Sequence, residues 1–505
     1  MSCGRNVIAL WMAVTLGGTG TLTFEGPCYA PPVRLMDVAT DVVIGSGPSG
    51  YAAALGIIHA GRIPIVVDFG VDPRFDGGTV SQASTIAMKG EDSRARVFQY
   101  PRAWLSSSDG AQLPASSARG GLSNIWGAGI LVRSRHDMPE LAPVYDGIAA
   151  GYSALLSNMD VVGCQDRTST RFPWIEGTTA GPQSTRYASI VHRLQAEREG
   201  VLFGHSRLAL RARDCVRCGR CLTGCPEHLF FAAGEEIARL AASGKCRLVA
   251  GPVARIVPVD GLVRLEMTND EILSERVFLA AGPIASPALL QRSGLAPGVI
   301  RVRDSAVFYA GFLNLNPAHG DESTYTASQA MAFSEVSGPT DFQLSFYDSN
   351  PEYAERLATL SPTLGRALKR ASGLGERVNA AIGFLDSSVS GSLLLRHVAG
   401  RTWVTRQAQR GIWKRAVAVT RRVNAQTSRV GLHAIPGVVL APAPGSGYHS
   451  GAGLPMGGTH VSFEGQLRAA PAVRIVDATS LPKVWAGSHT FTAMANAYRI
   501  ASLPS

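Results

Sequence analysis

The sequence predicts an α/β fold, in which a Rossmann-like dinucleotide-binding domain is joined to a second α+β domain built on an antiparallel sheet. Three observations support this prediction. The apolar run at residues 41–44 ends in glycines spaced G-x-G-x-x-G and passes directly into a helical stretch. A second apolar strand, residues 63–67, ends in an acid. Between residues 300 and 440, strand-like and helical runs alternate.

The three glycines of the first turn have separate expected roles. Gly45 permits the turn, Gly47 lets the backbone approach a pyrophosphate, and Gly50 lets the helix pack close to the strand. Asp68 ends the second strand about 20 residues later, where a ribose-binding carboxylate belongs. The alternative is a glycine-rich turn in another kind of α/β protein, with Asp68 an ordinary solvated acid.

A second glycine cluster follows a Gly-, Ser- and Ala-rich excursion over residues 70–116. It contains Gly120, Gly121, Ser123 and Asn124, and such a loop can bring backbone amides against a ligand. A plain glycine loop is the alternative.

The elements that follow alternate again. The patterns predict helices over 137–163, 184–199 and 230–243 and strands over 246–250, 253–258, 263–268 and 276–282. Ser286 before Pro287 indicates a further helix start. The predicted domains are an N-terminal extension (1–36), the dinucleotide-binding domain (37–299, with a cysteine-rich insertion at 205–230), a substrate domain (300–440) and a return to the first domain (441–505).

Composition and charge exclude several classes of function. The formal net charge is +10, but the basic residues are mostly scattered arginines without interleaved aromatics or zinc-finger spacing, which argues against nucleic-acid binding. No run approaches the roughly 18 apolar residues of a membrane span. The basic residues between Arg401 and Arg429 are expected to form the solvated face of a helix, with an anionic-substrate or partner surface as the alternative.

The N-terminal residues admit two interpretations. Arg5 followed by the apolar run 7–16 resembles a secretory signal, without a clean cleavage site before Phe24. Alternatively, Met36 is the biological start and leads straight into the first strand. We favour the second interpretation and expect a cytoplasmic protein; a periplasmic location would follow from the first.

Five ordered segments together resemble the glucose/methanol/choline family of flavin oxidoreductases, whose members oxidise alcohols. They are the Gly45 turn, the loop 120–126, and the segments 282–294, 448–457 and 476–497. The resemblance spans residue 41 to the C-terminus, although residues 300–440 match only in general character.

The resemblance implies FAD as the cofactor. It places Asp68 on the adenosine ribose, the Gly120 loop and Asp477 near the flavin, and Val253 among the cofactor-binding residues. Relatives that attach FAD covalently carry a histidine in the second glycine loop. Ile125 stands at the comparable place here, so non-covalent FAD is expected.

His449 and His489 fall on matching motif positions and are the candidate catalytic pair. Alcohols are poor acids at neutral pH, so their oxidation needs a base within hydrogen-bond reach of the hydroxyl, and imidazole has a suitable pKa. We expect His449 to be the base and His489 to orient the alkoxide. The alternative is a pair of ordinary core or surface histidines.

Four cysteines have the spacing C-x2-C-x2-C-x3-C-P of bacterial ferredoxins, which predicts an iron–sulfur cluster, 4Fe-4S or 3Fe-4S, held by Cys215, Cys218, Cys221 and Cys225. Because only one such run is present, the fourth ligand could instead be Cys246 or Cys164. Zinc or structural thiols remain the alternative. A disulfide framework is disfavoured in a chain of this length.

These features predict a dehydrogenase that oxidises a CH–OH group of a sugar or another alcohol. Its electrons would leave through the cluster to an external acceptor, a redox protein or a quinone. The alternatives are an oxygen-using oxidase of the same fold with a structural cysteine site, and a non-catalytic electron-transfer flavoprotein.

Overall fold

The computed structural model describes residues 38–70, 100–110, 113–174, 181–195, 200–221, 225–268, 270–316, 325–334, 341–349 and 377–504. The N-terminal extension and most of the excursion over 70–116 therefore lie outside the described residues. Within the described residues, none of the helices combines the length and apolar composition that a membrane span requires.

The first sheet has eight strands and a parallel centre. Strand Ala39–Ile44 pairs in parallel with Ile65–Asp68 on one side and with Glu271–Leu279 on the other. Val42, Val43, Val66 and Val67 are fully buried, as expected for β-branched residues in a sheet covered on both faces. The remaining strands are Arg247–Ala250, Val253–Val259, Leu262–Met267, Gln466–Leu467 and Ala470–Ile475.

The second sheet has six antiparallel strands. Its aromatic residues Phe308, Phe312 and Phe342 are fully buried, which gives this sheet a hydrophobic core of its own. Its strands, in spatial order, are Leu432–Leu440, Val307–Asn314, Val378–Leu385, Phe342–Tyr347, Ser328–Ser334 and Val201–His205.

A third sheet of five strands connects segments that are distant in sequence. Its strands are Leu105–Ser107, Val299–Asp304, Ser392–Val398, Arg401–Gln407 and Ser450–Gly451. The described α-helices are Pro48–His59, Tyr145–Leu156, Thr185–Gln195, Ala233–Ala242, Ala285–Arg292, Ile412–Thr427 and Thr490–Ser502. The described 3-10 helices are Gly121–Asn124, Arg135–Asp137, Pro139–Val144, Arg167–Thr170, Ala212–Asp214, Ser428–Val430 and Ala478–Ser480.

The predicted fold class is confirmed: a Rossmann-like parallel sheet is combined with a second, antiparallel sheet. Some segments differ from the prediction. The expected helix over 137–163 is α-helical only at Tyr145–Leu156, because Pro139 and Pro143 confine the preceding turn to 3-10 geometry. Strand Val201–His205 precedes the predicted second domain in sequence, yet it pairs with the second sheet.

The basic stretch is also shorter as a helix than predicted. Helix Ile412–Thr427 buries Ala416, Thr420 and Val423, whereas Lys414, Arg415 and Arg421 are exposed. Arg406 lies outside this helix, on a strand of the third sheet. The helical part of the stretch therefore has the amphipathic pattern of a surface helix with a solvated face.

Candidate active site

A cavity of about 400 Å³ lies where the first sheet, the second sheet and the C-terminal segment meet. The glycine turn lines one end and the histidine pair lines the wall formed by the C-terminal segment. Ten of the predicted site residues line it: Gly45, Gly47, Asp68, Gly121, Ser123, Cys221, Val253, His449, Asp477 and His489.

The glycine turn gives each glycine a different environment. Gly45 has a φ of 101°, and a Cβ there would lie 2.5 Å from the carbonyl oxygen of Ala280. A Cβ at Gly50 would lie 1.9 Å from the carbonyl oxygen of Gly45, so the helix can pack against the turn only without a side chain. A Cβ at Gly47 would meet nothing within 4 Å. A side chain at Gly45 or Gly50 would therefore clash with the protein backbone, whereas Gly47 faces open space in the cavity.

Ser46 connects the two glycine loops with Asp68. Its backbone N–H and hydroxyl both donate to Asp68 Oδ2, at 3.0 and 2.7 Å, and its Oγ accepts from the N–H of Gly120 at 2.8 Å. Asp68 Oδ1 accepts from the N–H of Gly70. Apart from its place between two motif glycines, nothing in the sequence pointed to Ser46.

The second glycine loop presents backbone to the cavity. Gly121 and Ser123 line it, but the Ser123 hydroxyl is shared between the carbonyl of Gly120 and the N–H of Ala233. Gly120 and Asn124 do not line the cavity. Gly120 has left-handed backbone and packs against helix Ala233–Ala242, while the Asn124 amide donates to two carbonyls of its own loop. These two residues therefore shape the turn.

Asp477 lies at the cavity wall with its carboxylate engaged by the protein. It accepts hydrogen bonds from Gly282 N, Ser286 Oγ and Thr479 N at 2.8, 2.5 and 2.8 Å. Burial raises the pKa of Asp477, and these hydrogen bonds oppose the rise. The carboxylate ties the end of one parallel strand to the next. Val253 begins a strand at the same edge and is also buried.

The structure brings His449 and His489 together from segments 40 residues apart. Their ring centroids lie 5.1 Å apart at an interplanar angle of 85°. Phe384 stacks on His449 at 4.2 Å, which fixes the plane of that ring. Nδ1 of each histidine is buried and has no hydrogen-bond partner among the described residues.

A buried carboxylate holds the loop that carries His449. Asp304 accepts from Gly445 N and Ser450 Oγ, each at 3.0 Å, and the N–H of Ser305 donates to the carbonyl of His449 at 2.8 Å. Burial raises the pKa of Asp304 to about 6. These contacts set the backbone on both sides of the histidine.

A buried guanidinium holds the loop that carries His489. Arg133 is fully buried and donates from Nη2 to the carbonyls of Ala486 and Ser488, at 3.0 and 3.4 Å. Gln343 Oε1 accepts from the N–H of Ser488 at 3.2 Å. No pattern in the sequence indicated Arg133 or Gln343, because both act through contacts with residues at least 145 positions away in the sequence.

The surroundings keep both imidazoles neutral. Burial lowers the pKa of His489 to about 4, with the Arg133 charge acting in the same direction; hydrogen bonds to the backbone of Ser450 and Gly487 oppose the shift. Burial also lowers the pKa of His449 well below its ordinary value, assisted by His489 and Arg133. A neutral imidazole can accept a proton.

The second sheet supplies the wall facing the histidines. Its lining residues are aromatic or polar: Tyr309, Gln343, Ser345, Tyr347 and Phe384. The sequence pattern indicated none of them, because residues 300–440 match the resembled family only in general character.

The four clustered cysteines line one small cavity next to the main one. Cys218 is exposed, while Cys215, Cys221 and Cys225 are partly buried against an apolar cluster. Thr326, at the edge of the second sheet, anchors the loop: its Oγ1 accepts from Cys221 N at 3.2 Å and donates to the carbonyl of Gly219 at 2.8 Å. Cys221 and Phe230 line both cavities.

The two other candidate thiols lie elsewhere. Cys246 is buried under helix Ala233–Ala242, and Cys164 lies beside Asp166 and His205. The ligand atoms of Cys164, Asp166 and His205 come within 4.8 Å of one another, but Asp166 already accepts from the backbone of His205 and Thr168 and lies 3.6 Å from Arg207. We interpret this group as a buried polar support rather than a metal site.

Comparisons with known proteins show the fold. No protein-family model matches the chain, and no curated protein matches its sequence. Among solved structures, pyridoxine 4-oxidase from Mesorbium loti matches with a TM-score of 0.57 and 15% sequence identity. The match covers 92% of this chain and 98% of that one, so the two share a fold over nearly their whole lengths.

Proposed function

We propose that this protein is an FAD-dependent oxidoreductase that oxidises a CH–OH group of a sugar or another alcohol. In this proposal electrons leave through an iron–sulfur cluster to an external acceptor. The observation that carries it is a single cavity with a dinucleotide-type glycine turn at one end and two neutral, edge-to-face imidazoles on its wall.

The residues present fit FAD. Gly47 leaves open space at the start of a 12-residue helix, where unpaired N–H groups and the helix dipole favour a diphosphate. Asp68 lies beyond it for the ribose, as expected for this type of turn. Because Ile125 rather than a histidine lines the cavity in the second loop, we propose that FAD is bound non-covalently.

The histidines provide the acid–base chemistry. His449 accepts the hydroxyl proton of the substrate, because a neutral imidazole has one ring nitrogen with a free lone pair. His489, 5.1 Å away, orients the same oxygen. FAD, when bound, supplies the hydride acceptor. Tyr309 and Tyr347, whose side chains end in hydroxyl groups, also line the cavity and support a substrate with additional hydroxyl groups.

The cluster is supported by the cysteine spacing and by the position of the thiols: the four cysteines follow the ferredoxin pattern C-x2-C-x2-C-x3-C-P, and all four line one small cavity. A zinc ion is the alternative occupant of such a site. Cys225 lines the small cavity together with Cys215, Cys218 and Cys221, whereas Cys246 and Cys164 do not line it. We therefore propose Cys225 as the fourth ligand.

An anaerobic absorbance spectrum with iron and sulfide assays tests both cofactors. We expect released yellow flavin after acid precipitation, stoichiometric iron and sulfide, and bleaching of the flavin by a polyol or sugar alcohol. A colourless protein would contradict the FAD proposal. A protein that contains flavin but no iron would contradict the proposed cluster and leave the proposed alcohol oxidation intact. Flavin that no alcohol bleaches would favour a non-catalytic electron carrier.

An oxygen-using oxidase is the second candidate, favoured by the shared fold with pyridoxine 4-oxidase. The two candidates differ in how the reduced protein reoxidises. Rapid reoxidation in air with one peroxide per alcohol oxidised would support the oxidase and contradict the dehydrogenase. Slow reoxidation in air, accelerated by a one-electron acceptor, would support the dehydrogenase.

A further inference from the structure

The loop that carries the four cysteines has a distinctive outer surface. Arg213, Arg217 and Arg220 are exposed there, and we call these three residues the arginine rim. The side chain of Arg213 is 76% exposed, and Val216, between Arg213 and Arg217, is 68% exposed. Cys218 is the one exposed thiol of the four.

The positive charge of this surface is only partly compensated. Residues 211–228 contain four arginines, one aspartate and one glutamate, so their formal charge is 4 − 2 = +2 with His228 neutral. Asp214 pairs at 2.6 Å with Arg211, which lies outside the rim, and at 3.9 Å with Arg213, which belongs to it. The rim therefore presents net positive charge around a small apolar centre.

We propose that the arginine rim is the docking surface for a small acidic one-electron carrier protein. This inference rests on the proposed iron–sulfur function. Each turnover removes two electrons and two protons from a CH–OH group, forming C=O. The protons go to solvent, and two oxidised carrier molecules each take up one electron.

The position of the rim supports this proposal. The main cavity and the cysteine cavity share the wall formed by Cys221 and Phe230, and the cysteine loop reaches solvent at Cys218. A carrier seated on the rim would contact the exposed part of the cysteine loop at Cys218, whereas Cys221 and Phe230 line the main cavity. Redox partners use small, transient interfaces, in which complementary charge steers association and a small apolar centre is surrounded by polar residues.

A membrane surface fits these residues less well than an acidic protein does. Peripheral membrane binding uses an amphipathic helix or an extended apolar face beside the basic residues. Around the rim, the described residues form only the three-residue 3-10 turn Ala212–Asp214 and the single exposed apolar side chain Val216.

The test uses the full-length holoenzyme, with flavin, iron and sulfide measured in every preparation. The probe is cytochrome b5, a small acidic haem protein, and basic cytochrome c is the comparison. The variant is Arg213→Glu/Arg217→Glu. The matched control is Lys414→Glu/Arg415→Glu, which makes the same charge change on helix Ile412–Thr427, packed on the strand at the opposite edge of the second sheet.

We expect cytochrome b5 binding to weaken at least about tenfold in the rim variant and less than twofold in the control. Wild-type binding should also weaken with rising salt. Reduction of cytochrome b5 by anaerobically pre-reduced enzyme, freed of excess reductant, should slow in parallel. Alcohol-dependent flavin bleaching without an acceptor should stay unchanged.

Equal binding of cytochrome b5 by the rim variant and the wild type would overturn the docking proposal without affecting the proposed cluster. Absence of iron and sulfide would instead remove the proposed function on which it rests. A rim variant that loses binding to anionic lipid vesicles but keeps cytochrome b5 binding would assign the surface to a membrane and overturn the proposal as well.

Discussion

At the scale of single residues, the site depends on keeping two histidines close and uncharged. His449 is stacked on Phe384 and His489 begins the last helix, so neither ring can turn freely. Arg133 contributes twice, by holding the carbonyls of the His489 loop and by placing a positive charge near both rings. The residues that tune the pair are as important to its chemistry as the pair itself.

Replacing His449 tests the proposed base. We expect His449→Ala to keep FAD bound and to slow flavin reduction by alcohol by about 10²- to 10⁴-fold, because proton removal then depends on water. Stopped-flow bleaching under anaerobic conditions measures this. His460→Ala, at an exposed histidine, is the control. Reduction at the wild-type rate by the His449 variant would remove the assignment.

The pH dependence follows from the lowered histidine pKa values. A base works while it is neutral, and burial lowers the pKa of His449 well below its ordinary value, so the rate of flavin reduction should stay constant as the pH falls through 6.5. The rate should decline once His489, whose pKa is lowered to about 4, takes up a proton. The same histidine also affects stability: His489 takes up a proton below pH 6.5 in the unfolded chain but only near pH 4 in the folded chain, so its contribution to stability should fall over that window.

Arg133 can be tested through the same profile. Arg133→Met removes a positive charge that lowers both histidine pKa values, so the fall in rate at low pH should move to higher pH. Arg133→Lys keeps the charge and should leave that fall at the wild-type pH. Both variants lose the guanidinium hydrogen bonds to Ala486 and Ser488. A fall at the wild-type pH in Arg133→Met would show that burial alone sets the histidine pKa values.

At the scale of elements, each part of the site lies at the end of a strand or helix. The glycine turn follows strand Ala39–Ile44, Asp68 ends the neighbouring parallel strand, and Asp477 follows strand Ala470–Ile475 at the same edge. Ligands of such sheets bind outside the carboxyl ends of the strands. His489 comes to this edge because its helix, Thr490–Ser502, packs against helix Pro48–His59.

Substitutions at two glycines of the turn should have different effects. Gly47→Val projects into open space, so we expect a folded protein that has lost FAD. Gly50→Ala drives a methyl group into the Gly45 carbonyl and should destabilise the fold by about 3 kcal/mol or more. Flavin content and thermal unfolding separate the two, with Gly298→Val, also facing open space, as the control. Retention of FAD by Gly47→Val would contradict the proposed diphosphate position.

At the scale of the whole molecule, the cavity is lined by segments that are far apart in the sequence. The first sheet supplies the cofactor end, the second sheet supplies the facing wall, and the C-terminal segment supplies the histidines. A ligand in this position contacts all three units at once, so binding and stability should be coupled.

FAD should therefore stabilise the whole chain. Free FAD at a hundredfold excess over its Kd should add about 2.7 kcal/mol to the free energy of unfolding. Thermal unfolding of flavin-depleted protein, repeated with increasing FAD, measures this as a rising midpoint. Gly47→Val should show no rise, and a wild-type midpoint independent of FAD would contradict binding at this cavity.

The sequence by itself determined the parts that depend on local chemistry. The glycine spacing predicts the strand–turn–helix because only glycine fits the conformation at Gly45 and the close contact at Gly50. Apolar runs predicted the strands over 246–250 and 253–258, which the structure has as Arg247–Ala250 and Val253–Val259. The cysteine spacing likewise brought four thiols to one cavity.

Only the tertiary structure decided what depends on contacts between distant segments. It placed Arg133 behind His489, gave Ser46 its link between Asp68 and the second loop, and joined strand Val201–His205 to the second sheet. It also positioned the cysteine cavity against the main one. The periodicity of a sequence shows which face of a segment is buried, but not which other segment buries it. The contacts of Arg133, Ser46 and strand Val201–His205 all depend on which segments meet, so only the tertiary structure could show them.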